Sequence, residues 1–372
     1  MTYRRLNLMN KPNLFHPLSL WSLNLRNRIV MAPMTRNFSP NGVPGPDVAA
    51  YYRRRAEGGV GLIITEGTVI NHPASAADHD VPHFYGEDAL NGWSQVVKEV
   101  HAAGGKIMPQ LWHTGMARKM SEFPDSDINP VGPSGLNLQG EQVSNPLNES
   151  EIASIVDAYA QAAANAKRLG FDGIELHGAH GYLIDQFFWE KTNRRTDRYG
   201  GDLTARTRFA EAVIQACREA VGPDFPIVLR ISQWKADNYD AKLADTPDQL
   251  AQWLMPLANA GVDIFHCSTR RFWVPEFEGS ELNLAGWVKK VTGKPTISVG
   301  SVGLEADVLG SANDGNPYAR LDALNEQIKR EEFDLIAVGR SLLADAAWAN
   351  KVREGRLDDI TPVSADVFAK LT

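Results

Sequence analysis

Eight short apolar runs rich in Val and Ile punctuate this chain, and stretches of helical period separate them. That alternation points to parallel β/α units, because strands buried on both faces read as continuous apolar runs while the helices covering them read with a 3.6-residue period. The runs occupy 29–34, 61–66, 106–111, 173–177, 227–231, 262–266, 296–300 and 334–339. Helices are expected at 47–57, 87–103, 150–169, 203–220, 247–260, 281–292, 320–332 and 342–354. Thr246-Pro247 sets a capping hydroxyl before a proline at the first helical position, and Ala103-Gly104-Gly105 stops the second helix where the third strand must begin. Eight strands with eight helices predict a closed (β/α)8 TIM barrel of the α/β class, with its chemistry at the carboxyl ends of the strands. An open doubly wound sheet is the alternative. Against it, the first run leads into Thr35-Arg36-Asn37 instead of a glycine-rich dinucleotide turn.

A barrel of this kind accommodates all 372 residues as one domain, 1–372. The connection 113–149, rich in proline, glycine and polar residues, is too long for a simple loop and reads as a capping excursion over the barrel mouth. A surface insertion without a catalytic part is the equal alternative.

A net charge of −7, with no basic run longer than Arg53-Arg54-Arg55, argues against a nucleic-acid partner. No stretch approaches the roughly 20 apolar residues that span a bilayer, and the opening residues lack the apolar core of a secretory signal. The expectation is therefore a cytoplasmic protein without a membrane partner. Two cysteines, Cys217 and Cys267, are too few to ligate an iron–sulfur cluster and read as reduced, buried thiols.

Polar residues at strand ends then require an explanation, since leaving one buried and unpaired costs about 1–3 kcal/mol. Thr35 follows the first run, Gln110 lies near the end of the third, His177 ends the fourth, Arg230 falls within the fifth, and Gly339-Arg340 ends the eighth. Singly each reads more readily as structural; together they converge on one mouth. The densest signal is 175–183, where His177, His180 and Tyr182 are separated by small residues that let a ligand approach the backbone. A metal pair is the rival reading, but zinc needs a third ligand and His113 is the only tempting candidate, so no metal site is assigned. Glycines and a fixed charge after the seventh and eighth strands, at Gly300-Ser301 and Gly339-Arg340, suit a phosphate, with the following helix contributing its dipole.

The chain resembles the Old Yellow Enzyme family over nearly its whole length. The resemblance rests on residues 27–36, on 110–115, on the segment from His177 to Tyr182, on 193–201, and on Val338-Gly339-Arg340. It implies an ene-reductase with non-covalent FMN across the barrel mouth. Pro33, Met34 and Thr35 would line the isoalloxazine ring, Gln110 would pair with its pyrimidine edge, and Arg230 would stabilise negative charge near N1/O2. Gly300, Ser301, Gly339 and Arg340 would hold the phosphate. Gly67 stands where Ala is common, and the missing methyl is expected to loosen the floor of the flavin site. His177 and His180 would donate hydrogen bonds to a carbonyl or nitro oxygen, and Tyr182 would protonate the α-carbon, with Trp112 against the substrate. Outside any motif of the family, Arg270, Arg271, Phe272 and Trp273 follow the sixth strand, where Trp273 reads equally as part of a cover over the substrate or of an exposed aromatic-basic loop. The cycle implied is ping-pong. NADPH or NADH delivers hydride to flavin N5 as a transient donor, and an activated alkene then takes it at the β-carbon.

Two other functions fit the residues without that resemblance: a flavin-free barrel isomerase or lyase using the His–His–Tyr group, and a non-catalytic flavin or ligand binder. The small-molecule partner is unnamed by the sequence, and a homo-oligomer is left open.

Overall fold

A computed structural model describes residues 13–123, 126–304 and 320–372. Eight parallel strands close into a barrel: β3 (Ile29–Met31), β4 (Leu62–Val69), β5 (Lys106–Trp112), β6 (Ile174–His180), β7 (Ile227–Lys235), β8 (Ile264–Ser268), β9 (Thr296–Val299) and β10 (Leu335–Val338). Each pairs with its neighbours in sequence, and β10 returns to β3 through Ile336↔Ile29. All eight expected runs are barrel strands, and the fold is the (β/α)8 barrel. Helices cover it: α1 (Pro46–Glu57), α2 (Glu87–Ala102), α3 (Glu149–Leu169), α4 (Leu183–Phe188), α5 (Arg208–Val221), α6 (Pro247–Ala260), α7 (Leu284–Thr292), α8 (Leu321–Lys329), α9 (Arg340–Ala344) and α10 (Trp348–Glu354).

Local chemistry sets the helix ends. Asn148 and Glu151 form a reciprocal capping box at the start of α3, and Gly170 ends that helix in the left-handed conformation at φ 86°. Thr246 accepts from the Gln249 amide before Pro247, as its sequence implied. The helix expected at 342–354 is two, α9 and α10, because the Asp345 side chain accepts from the Ala347 and Thr361 amides and turns the chain out of the helix. The sequence reading also missed α4. Of the long segment from Leu304 to Glu332, residues 305–319 lie outside the described residues, and the part from Arg320 carries α8.

The lower end of the barrel is closed by a hairpin that the strand count did not anticipate. Strands β1 (Leu18–Leu20) and β2 (Leu23–Leu25) pair antiparallel about Trp21-Ser22. Leu23 and Leu25 pack under a layer of inward-facing side chains that includes Val30, Leu62, Met108, Ile264 and Ile297. Buried apolar area of this kind stabilises by about 25 cal/mol per Å², so the hairpin adds a floor to the core. The polar mouth lies at the opposite end.

Candidate active site

Residues at the carboxyl ends of the strands line two adjoining cavities, of about 440 Å³ and about 160 Å³, which share Pro33, Thr35, His180, Tyr182 and Arg230. The larger also takes in Met34, Gly300, Ser301, Gly339 and Arg340. The smaller takes in Gly67, Gln110, Trp112 and His177. Every residue that the sequence assigned to this mouth is therefore brought to it except Trp273, which lines neither cavity and instead lies under the Arg320 guanidinium, 4.3 Å from its ring centre. A volume near 440 Å³ is within the range of about 300–1,000 Å³ usual for small-molecule sites.

The two histidines reach the cavity by different routes. His177 sits in regular register opposite Arg230 of β7. His180 is three residues on, and in an unbroken strand residues three apart face opposite sides. The pairing of β6 with β7 shifts between Gly178 and His180, and His180 adopts φ 65°, turning its ring back to the mouth. Gly181 follows at φ 83° and delivers Tyr182. The rings of His177 and His180 are 5.2 Å apart, and Tyr182 meets His177 edge-on at 4.8 Å and Trp112 at 4.9 Å.

Their surroundings define their charge. Burial, reinforced by the Arg230 guanidinium, holds both imidazoles well below the ordinary histidine range, so each is neutral at neutral pH. Burial pushes the Tyr182 phenol up, keeping it protonated. His180 Nε2 and Ser268 Oγ are 2.8 Å apart, and the same ring stacks on Trp234 at 4.2 Å. Arg270, from the loop after the sixth strand, lines the larger cavity, as do Trp234, Tyr239, Ser268, Thr269, Leu343 and Phe368, which were not singled out from the sequence. The Ser268-Thr269 pair closing β8 is the one local signal that marked such a position.

Several buried polar atoms at this mouth have no partner: Arg230 Nε, His177 Nδ1 and Trp112 Nε1. Among the described residues the Arg230 guanidinium makes no hydrogen bond, and Thr35 is exposed to the cavity. Unpaired donors around a hollow fit a polar, partly anionic planar group. Two expectations change in detail. A methyl at Gly67 would lie 2.6 Å from the Trp112 ring, so the indole already fills the space that glycine leaves and the floor is closed there. The helix after Gly339, α9, is only five residues long and adds little dipole, leaving the Arg340 charge and backbone as the polar features at that end.

The excursion 113–149 adjoins this mouth. Leu138 lies where a Cβ on Gly181 would meet it at 3.1 Å, and Gln139 donates to Asp237 beyond β7 at 2.7 Å. The 193–201 segment clasps it from outside: Arg195 donates to the Pro133 carbonyl at 2.6 Å and to that of Leu147, while pairing with Asp197. Cys217 and Cys267 are both free and buried. Among the described residues no three His, Cys, Asp or Glu side chains are grouped to hold a metal ion, and no helix is long and apolar enough to cross a membrane.

Residues 13–359 match the model of the NADH:flavin oxidoreductase / NADH oxidase family. An NADH oxidase of Thermoanaerobacter brockii is 36% identical over 361 residues, covering 94% of this chain and 52% of that protein. The 12-oxophytodienoate reductase 7 of Oryza sativa subsp. japonica is 42% identical over 259 residues, 66% of this chain and 64% of its own length. This chain thus spans about half to two thirds of these curated relatives. The solved structure of morphinone reductase in complex with tetrahydroNAD superposes with a TM-score of 0.80 at 30% identity, covering 96% of this chain and 94% of the other.

Proposed function

The chain belongs to the NADH:flavin oxidoreductase / NADH oxidase family, and on that premise we propose that it is an FMN-dependent ene-reductase acting on small α,β-unsaturated carbonyl or nitro compounds. The observation that carries this reading is the convergence of Thr35, Gln110, Arg230, His177, His180 and Tyr182 on one pair of adjoining cavities where Arg230 Nε, His177 Nδ1 and Trp112 Nε1 are left without partners. Bound FMN would relay hydride from NADH or NADPH to the alkene.

The residues of this chain supply the rest. Pro33, Met34 and Thr35 would flank the ring, and Gly67 with Trp112 would form the floor beside Gln110 and Arg230. Arg230 offers a charge that no pH in the working range removes, suited to the pyrimidine side where a reduced flavin is anionic. Gly300, Ser301, Gly339 and Arg340 would hold the phosphate. His177 and His180, neutral and held at right angles, would donate hydrogen bonds to the substrate oxygen as it gains charge, an arrangement for which loss of one comparable donor costs about 3–4 kcal/mol. Tyr182, kept protonated by burial, would give its phenolic proton to the α-carbon. The excursion 113–149 would cap the mouth as part of the same domain, and the enzyme would work in the cytoplasm without nucleic-acid or membrane partners.

The test is purification followed by anaerobic stopped-flow with NADH and with NADPH, then a panel of enones, maleimides and nitroalkenes. A yellow protein whose colour bleaches with either nicotinamide and returns with an enone is the expected result. A colourless protein that takes up no FMN would overturn the reading in favour of a flavin-free isomerase or lyase. Flavin binding without alkene-dependent nicotinamide consumption would leave a ligand binder.

A further inference from the structure

Beneath the mouth, two buried polar residues that the proposed chemistry does not use, Glu175 and His266, stand behind Gln110 and Arg230. Gln110 on β5 and Glu175 on β6 are register partners, and Gln110 Nε2 donates to Glu175 Oε1 at 2.8 Å. The other carboxylate oxygen accepts from His266 Nδ1 of β8 at 2.6 Å, past the intervening β7. Neither Glu175 nor His266 has any side-chain exposure. Burial holds the His266 imidazole below its usual range, so it is neutral, with its proton on Nδ1 and a bare, partnerless Nε2. In register one step above Gln110 and Glu175, Arg230 sits between His177 and His266 on the adjacent strands. Burial pulls the Arg230 guanidinium down while the Glu175 carboxylate acts in the opposite sense. Even hydrogen-bonded, a carboxylate is costly to hold in a core, so one here needs a purpose beyond packing.

Resting on the FMN reading above, we propose that Glu175, steadied by His266, is a positioning residue that sets both the orientation of Gln110 and the net charge offered to the flavin pyrimidine edge. By accepting from Nε2, the carboxylate leaves the Gln110 carbonyl oxygen as the group that faces the cavity, an acceptor suited to the flavin N3–H. By standing behind Arg230, it offsets part of the guanidinium's field. The bound flavin is thus harder to reduce than Arg230 alone would make it, which keeps the reduced form a ready hydride donor.

The experiment compares holoenzymes of the wild type, Glu175→Gln and Glu175→Asp by reductive titration against a reference dye, with FMN affinity measured alongside by fluorescence. Gln keeps a hydrogen-bonding group and loses the charge, since His266 can accept from the new amide by changing tautomer. The midpoint potential is expected to move positive in Glu175→Gln and to stay near wild type in Glu175→Asp. Glu175→Met carries the same expectation as Gln should the polar variant not accumulate folded. An unchanged or more negative potential in the charge-free variant overturns the inference while leaving the FMN reading intact. Failure of the wild type to bind FMN overturns that reading instead.

Discussion

Asp185 and Lys235 form an ion pair of 2.9 Å with neither side chain exposed, and the second oxygen of Asp185 accepts from the Gly181 amide at 2.6 Å. The pair lies directly behind the turn that delivers His180 and Tyr182 and ties β7 to the start of α4. Asp185→Asn therefore leaves an ammonium buried without its counter-charge, a loss of about 3–5 kcal/mol. Urea denaturation measures it, and a change below about 1 kcal/mol would show that Lys235 finds another partner.

Tyr182 packs edge-on against both His177 and Trp112, in contact with the cavity but outside the Gln110–Glu175 set. For Tyr182→Phe, flavin reduction by nicotinamide is expected to survive while alkene reduction slows by about 10²–10⁴-fold, the span of positioned proton transfer. Rapid-mixing of each half-reaction separates the two. Equal losses in both would remove the phenol from the proton-donor role.

Gly67→Ala would drive a methyl to 2.6 Å from the Trp112 ring, a carbon–carbon separation that forces the indole to move. Overpacking of this sort costs about 1–3 kcal/mol. Because Trp112 also meets Tyr182, KM for the alkene is expected to rise along with the loss in melting temperature. A variant as stable as the wild type with unchanged kinetics would mean the indole has room that the packing does not show.

Glu66, in β4, accepts from the Arg36 and Asn37 amides at 2.8 and 3.1 Å, immediately after Thr35. Burial nonetheless pushes its carboxyl up to about 7, against 4.5 for the free group. The native state therefore binds this proton more tightly than the unfolded chain. The resulting stability is complete below about pH 4.5 and lost as pH rises through about 7, an effect of about 3 kcal/mol. Glu66→Gln removes that dependence, so its stability relative to wild type should improve between about pH 5 and about pH 8. Parallel denaturation curves at both pH values would count against the shift.

The strands were legible because each is buried on both faces and so reads as an unbroken Val- or Ile-rich run. Single-residue site assignments such as Thr35, Gln110 and Arg230 followed once the strand ends were known. What escaped depends on contacts between distant segments or on backbone geometry without a local signature. The shifted register that swings His180 around lies inside a segment that reads as plain strand and turn. Trp234 and Ser268 reach His180 from β7 and β8, and Phe368 arrives from the far end of the chain. Trp273 stands apart for the converse reason: its aromatic-basic loop reads equally as a substrate cover or an exposed loop, and the Arg320 guanidinium that lies over its ring comes from a distant segment.

Among the described residues the leucine hairpin closes the lower end of the barrel, so prosthetic group and reactants would both pass by the polar mouth. An occupied doorway bars the way out. Saturating amounts of a slowly reacting ligand should then slow the leakage of FMN during prolonged dialysis, tying retention of the coenzyme to traffic through the catalytic entrance.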